Sequence, residues 1–148
     1  MITNIIKKDK SEGASTITQQ YARNLFLNFE KTWKRKIDEA LLATELEVHY
    51  SKNEILEGYL NTINYGGVYG IEAASKYYFN KSAKDLTLAE ASLLAGIPKS
   101  PNNYSPVKNY TKAKERQKIV LKMMQKNKKI TTEAVSYTHL TLPTNSLV

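Results

Sequence analysis

In this chain of 148 residues, the side chains best suited to chemistry gather between residues 15 and 39. Thr16, Gln19, Gln20, Arg23 and Asn24 recur at spacings of three, four and seven, which puts them on one stripe of a helix. Ile17, Tyr21, Leu25 and Phe26 then make the packing side. The helix opens with Gly13-Ala-Ser-Thr16, with Ser15 as the expected cap. Free backbone N–H groups at such a start attract anions. A row of hydroxyl, amide and guanidinium groups beside it can hold a polar, anionic ligand. The same pattern also suits a solvated helix face, and spacing alone does not choose between them.

A second group follows at Lys31, Lys34, Arg35 and Lys36, with Asp38 and Glu39 behind it. Arg35 stands four residues before Glu39, so a carboxylate lies within reach of a cation on the same helix face. Cations at a helix N-terminus oppose the macrodipole, which favours acids there. One reading is a diphosphate clamp, with arginine for bidentate contacts and lysine as a point charge. The other is an ordinary surface salt bridge worth a few tenths of a kcal/mol.

Three weaker signals complete the inventory. Glu57 shares a polar helix face with Asn53 and Asn61, opposite Ile55, Leu56, Tyr59 and Leu60, and could orient a neighbouring group. Lys112, Lys114, Arg116, Lys118, Lys122 and Lys126 make one helix strongly basic beside Ile119, Val120, Met123 and Met124, a pattern of phosphate binding, lipid-headgroup docking or plain solvation. His49 is a helix-end cation without a triad partner, and Gly66-Gly-Val-Tyr-Gly70 lacks both phosphate-cradle fingerprints.

The elements that must position these groups are helical throughout. Apolar residues recur at helical spacing, as in Ile37, Leu41, Thr44 and Val48. Ser51-Lys-Asn-Glu54 and Thr87-Leu-Ala-Glu90 are capping boxes that start two helices. The pattern predicts helices at about 15–28, 31–50, 52–62, 70–79, 88–96 and 111–127, an all-α fold. The segment from 134 to 148 has little charge and much Thr, Leu and Ser, and reads as a non-native or disordered tail after a domain spanning 1–133.

Composition narrows the partners. The chain has no cysteine, which excludes disulfide scaffolds, thiolate zinc sites and cysteine nucleophiles. Its net charge is +8, almost all of it C-terminal, which suits an anionic partner. No run of about 18 apolar residues is present to span a bilayer.

Taken in order, Gly13-Ala-Ser-Thr-Ile-Thr-Gln-Gln20 resembles the second motif of the peptidoglycan glycosyltransferases, the transglycosylase domain of class A penicillin-binding proteins and their monofunctional relatives. Arg35-Lys-Ile-Asp-Glu39 is similar to the third motif, Lys52-Asn-Glu-Ile-Leu-Glu-Gly-Tyr-Leu-Asn61 to the fourth, and Arg116-Gln-Lys-Ile-Val-Leu121 approximates the fifth. The resemblance implies a partial lysozyme-like helical domain that polymerises lipid II into glycan strands with release of polyprenyl diphosphate. It places Glu39 as the catalytic glutamate that attends the departing diphosphate, with Arg35 and Lys36 as its basic companions. Arg23 and Lys31 fall on phosphate-binding positions; Ser15, Thr16, Gln19, Gln20 and Asn24 fall on the donor-side helix, and Glu57 and Arg116 within the fourth and fifth motifs. No cofactor is expected, apart from a Mg2+ or Mn2+ ion that the family sometimes uses at the diphosphate.

The family's first motif, Glu-Asp followed by Phe, His and Gly, is expected ahead of residue 1, together with a membrane anchor. The chain is therefore expected to be a fragment, inactive alone, from an enzyme at the extracytoplasmic face of the bacterial membrane. Its partners are expected to be lipid II, the growing strand and the membrane surface, not nucleic acid. Two other classes stay open on the residues: a lysozyme-like hydrolase using Glu39 and Glu57 as its carboxylate pair, and a basic helical nucleic-acid binder.

Overall fold

The computed structural model describes residues 15–26 and 32–140. Among the described residues eight α-helices follow one another: α1 Ile17–Phe26, α2 Trp33–His49, α3 Lys52–Thr62, α4 Ile71–Phe79, α5 Leu88–Gly96, α6 Pro101–Tyr104, α7 Tyr110–Lys126 and α8 Thr132–Leu140. Short 3-10 turns at Ala83–Asp85 and Ile97–Lys99 link some of them. Among the described residues the only extended pairing is a single antiparallel bridge between Asn64 and Tyr69. The expected all-α fold is what the chain adopts, and the six expected helices are present within about two residues at each end.

Local chemistry explains the helix starts. Thr32 caps α2 by accepting the Arg35 N–H at 3.1 Å. The boxes at Ser51 and Thr87 both form, with Ser51 N–H donating to Glu54 at 2.8 Å and Thr87 N–H to Glu90 at 2.8 Å. Asn109 caps α7 through the Lys112 N–H. α4 stops at Asn80, which takes the left-handed conformation.

The chain divides into two compact units within α3, between Tyr59 and Leu60. In the first, α1 packs on α2 through a small core of Ala22, Ala43, Leu46 and Ile55, with Tyr21 and Leu42 against it. Alanines at the contact let the two helices approach closely. The second unit buries Leu93, Leu94 and Ile97 together with Ala113 and Leu121 of α7. Two of its buried polar side chains are bonded inside the unit: Gln117 donates to the Ala89 carbonyl at 2.7 Å, and Tyr78 donates to the Tyr65 carbonyl at 2.7 Å.

Three sequence expectations change. The apolar repeat of α2 is not its packing side: Ile37, Leu41, Thr44 and Val48 are exposed, and Glu39, Ala43 and Leu46 are buried instead. On α1, likewise, Ile17, Leu25 and Phe26 are exposed while Thr18 and Ala22 are buried. Close helix contact needs small side chains, and these, not the largest apolar ones, took the inner face. Leu56 is also exposed rather than in the core beside Ile55 and Tyr59. α8 runs from Thr132 through Leu140 and buries Thr138; residues 141–148, most of the segment expected to be a tail, lie outside the described residues.

Gly70 joins the bridge to α4 with φ of 85°, and a Cβ there would sit 2.7 Å from the Asn61 carbonyl oxygen. Gly70→Ala is expected to destabilise the chain by about 1–3 kcal/mol, because both the backbone region and the space exclude a side chain. Urea unfolding beside the wild type measures it.

Candidate functional site

α2 carries the centre of the site. Glu39 is fully buried, and both of its carboxylate oxygens are engaged from its own helix. Arg35, one turn earlier, donates from Nη1 to Oε2 at 2.6 Å, and Lys36 donates from Nζ to Oε1. Arg23 of α1 brings a third cation, 3.9 Å from Oε2. Three cations against one carboxylate leave an excess of two positive charges in this cluster. Burial by itself raises the Glu39 carboxyl pKa. The bonds from Lys36 and Arg35 and the charges of Lys36 and Arg23 outweigh it and hold the group below its ordinary range.

The start of α1 is tied to this cluster. Lys36 Nζ also donates to Ser15 Oγ at 2.7 Å, and Gln20 donates from Nε2 to the Ser15 carbonyl at 3.2 Å. Tyr59 donates its hydroxyl to Gln20 Oε1 at 3.3 Å, so the buried phenol of α3 supports the amide that holds Ser15. Burial pushes the Tyr59 phenol up, keeping it a neutral donor. Ser15 is not the cap of α1. Thr16 is: Thr16 Oγ1 accepts the Gln19 N–H at 3.1 Å and Gln19 Oε1 accepts the Thr16 N–H at 3.2 Å. Thr16-Ile-Thr-Gln19 is itself a capping box, the sequence signal that should have moved the cap by one residue. With Thr16 as cap, the Ser15 hydroxyl is released to face Lys36.

The expected residues therefore separate. Ser15, Gln20, Arg23, Arg35, Lys36 and Glu39 are joined by bonds or close charge contacts. Thr16 and Gln19 shape the helix start. Asn24, half-buried on α1, takes no part in these bonds, and Glu57 is exposed on α3. Arg116 belongs to the other unit, where its aliphatic stem lies against Gly96. Lys31 lies outside the described residues.

Two features were missed. Thr18 is buried and donates to Glu47 Oε1 at 2.7 Å, while Lys52 meets the same oxygen at 2.7 Å. This contact fastens α1 to the corner between α2 and α3 and so sets how α1 presents Arg23 and Gln20. Tyr59 was read as core alone. A hydroxyl in the middle of an apolar face, at Thr18 and again at Tyr59, was the available signal.

The family model described as transglycosylase matches residues 1–125. The chain belongs to the transglycosylase family. Among transglycosylase relatives, penicillin-binding protein 2D of Bacillus subtilis is 67% identical over 122 residues, covering 82% of this chain and 18% of the relative. Penicillin-binding protein 1A of Neisseria lactamica is 49% identical over 134 residues, 90% of this chain and 17% of the relative. The crystal structure of penicillin-binding protein 1A from Haemophilus influenzae superposes with a TM-score of 0.58 at 29% identity, over 91% of this chain and 17% of that one. This transglycosylase chain thus spans less than a fifth of the length of these relatives. Its all-α architecture is that of the matching part of the solved protein. Among the described residues no helix is long and apolar enough to cross a membrane.

The lowered Glu39 carboxyl has a consequence for stability. Its contribution is fully present above the ordinary value of 4.5 and is lost as pH falls through the depressed native value. Glu39→Gln is therefore expected to flatten part of the acid limb of the stability profile relative to the wild type. Thermal unfolding at a series of pH values below 5 reads the difference; superimposable acid limbs would refute a buried, ionised Glu39.

Proposed function

We propose that the cluster around Glu39 binds the diphosphate of lipid II, and that this chain supplies the donor side of a peptidoglycan glycosyltransferase. The observation that supports the reading is the buried carboxylate held between Arg35 and Lys36, with Arg23 beside it and positive charge in excess. In the reaction, a hydroxyl of the acceptor sugar attacks the anomeric carbon of the donor, and the bond from that carbon to the diphosphate oxygen breaks. Negative charge grows on the leaving diphosphate, and fixed cations placed in advance stabilise it. Glu39 keeps Arg35 and Lys36 in place without cancelling them.

The base that takes the acceptor's proton belongs, by the resemblance, to the first motif, which these 148 residues do not contain. Diphosphate binding is the activity that the cluster supports. The membrane surface and a site outside the cytoplasm follow from the same reading, since lipid II is a membrane-borne substrate. A Mg2+ or Mn2+ ion, where the family uses one, would be carried mainly by the diphosphate oxygens, since both Glu39 oxygens already accept from cations. The hydrolase reading loses support on two grounds. A glutamate held below its ordinary pKa is a poor general acid, and Glu57 is an exposed residue without a place in the cluster.

Calorimetric titration of the chain with farnesyl diphosphate tests the proposal. Arg35→Ala is expected to weaken binding at least tenfold, about 1.4 kcal/mol. Lys36→Ala should act alike, and Lys31→Ala enters the same series on the resemblance alone. In a longer protein that carries the first motif, Glu39→Gln is expected to abolish polymerisation of lipid II while circular dichroism stays unchanged. Binding unaffected by Arg35→Ala and Lys36→Ala would remove the cluster from the donor site.

A further inference from the structure

α2 turns a second face away from the cluster, and this face is apolar. Ile37, Leu41 and Val48 are 61%, 63% and 74% exposed, with exposed Thr44 between them and Trp33 at the head of the helix 88% exposed. The steps from 37 to 41, 44 and 48 are four, three and four residues. That is the a/d alternation of a helix–helix seam, narrower than the broad apolar stripe a helix lays on a globular core or a lipid surface. Large aliphatic side chains repeated this way over three turns do not suit solvent.

The rim of the stripe identifies what fits it. On one flank stand Asp38 and Glu45, neither with an ion pair among the described residues, and Lys34 nearer the N-terminus. On the other flank are Ala40, with Glu47 and Lys36, whose side chains are turned to Lys52 and Glu39. The unneutralised rim beside Leu41 and Val48 is therefore acidic. An anionic lipid surface would be repelled there. A second α2 packed antiparallel on the first would set Asp38 and Glu45 against their own copies.

We propose that this face of α2 is a docking surface for an amphipathic helix of another protein segment, one with an aliphatic seam flanked by lysine or arginine. The seam would pack between Ile37, Leu41 and Val48, and its cations would meet Asp38 and Glu45. The surface lies on the side of α2 opposite Glu39 and does not depend on the function proposed for the cluster.

Trp33 is the only tryptophan of the chain and borders the stripe, so its fluorescence reports occupancy directly. The probes are two synthetic amphipathic helices of about five turns, the length of α2, with the same leucine seam and either lysine or glutamate flanks. The lysine-flanked peptide is expected to shift Trp33 emission to the blue with saturation, at least tenfold more tightly than its glutamate twin. Leu41→Lys and, independently, Ile37→Asp are expected to abolish that titration with the circular dichroism spectrum unchanged, since both side chains are exposed. Asp38→Lys with Glu45→Lys is expected to reverse the preference between peptides. Equal binding of both peptides, no binding of either, or titrations indifferent to Leu41→Lys and Ile37→Asp would overturn the proposal. So would a blue shift produced by protein concentration alone, which means self-association, or by phosphatidylglycerol vesicles, which means a lipid surface.

Discussion

A carboxylate with no solvent exposure must be neutralised within the protein or give up its charge, and Glu39 governs the first unit through that requirement. Its two oxygens take donors from Arg35 and Lys36 on the same helix, at the spacings a helix provides without help from any loop. Desolvation alone would raise its pKa; the cations outweigh that and hold it below its ordinary range. The benefit runs both ways. Arg35 and Lys36 would otherwise be long, mobile side chains near a helix start whose dipole repels them, and the buried carboxylate confines them.

The geometry of α1 follows from this constraint. Lys36 reaches past Glu39 to the Ser15 hydroxyl, which is available because Thr16 and Gln19 cap the helix between themselves. Gln20, steadied by Tyr59, holds the Ser15 carbonyl. The Thr18 bond to Glu47 sets α1 against the α2–α3 corner, and Arg23 then falls beside Glu39 on the same side as Gln20. Thr18 and Gln20 on the inner face of α1 are hydrogen-bonded to Glu47 and Tyr59 on other helices, so a roll of the helix would break both bonds at once. A diphosphate is a rigid, highly charged group, and a site that keeps its cations in fixed positions before the ligand arrives spends no binding energy on arranging them.

The two faces of α2 show how differently a periodicity can be used. Its inner face is made of Glu39, Ala43 and Leu46, one charge and two modest apolar groups, and its outer face of Ile37, Leu41 and Val48. Reading hydrophobicity alone put the larger residues inside. The helix spacing was right and the face was wrong. What decides the face is interhelical distance: Ala22 of α1 and Ala43 of α2 allow a close approach that leucine or isoleucine at those positions would prevent. The same oversight placed Leu56 in the core and missed the buried hydroxyl of Thr18.

By itself the sequence determined whatever depends on neighbours along the chain. Helix positions came from capping residues such as Ser51, Thr87 and their glutamates, because caps and i to i+4 contacts are local. The Arg35–Glu39 pair was legible for the same reason, and four ordered motifs pointed to the transglycosylase family that the match over residues 1–125 shows. Tertiary structure alone decided which side of each helix met another, that Lys36 bridges Glu39 to Ser15, and that Tyr59 and Glu47 serve α1 from other helices. It also separated Glu57, left in solvent, from the carboxylate that matters. The contacts of Lys36 with Ser15, Glu47 with Thr18 and Tyr59 with Gln20 join residues 21 to 39 positions apart. Their formation rests on the packing distance between helices, a quantity that no stretch of sequence encodes on its own.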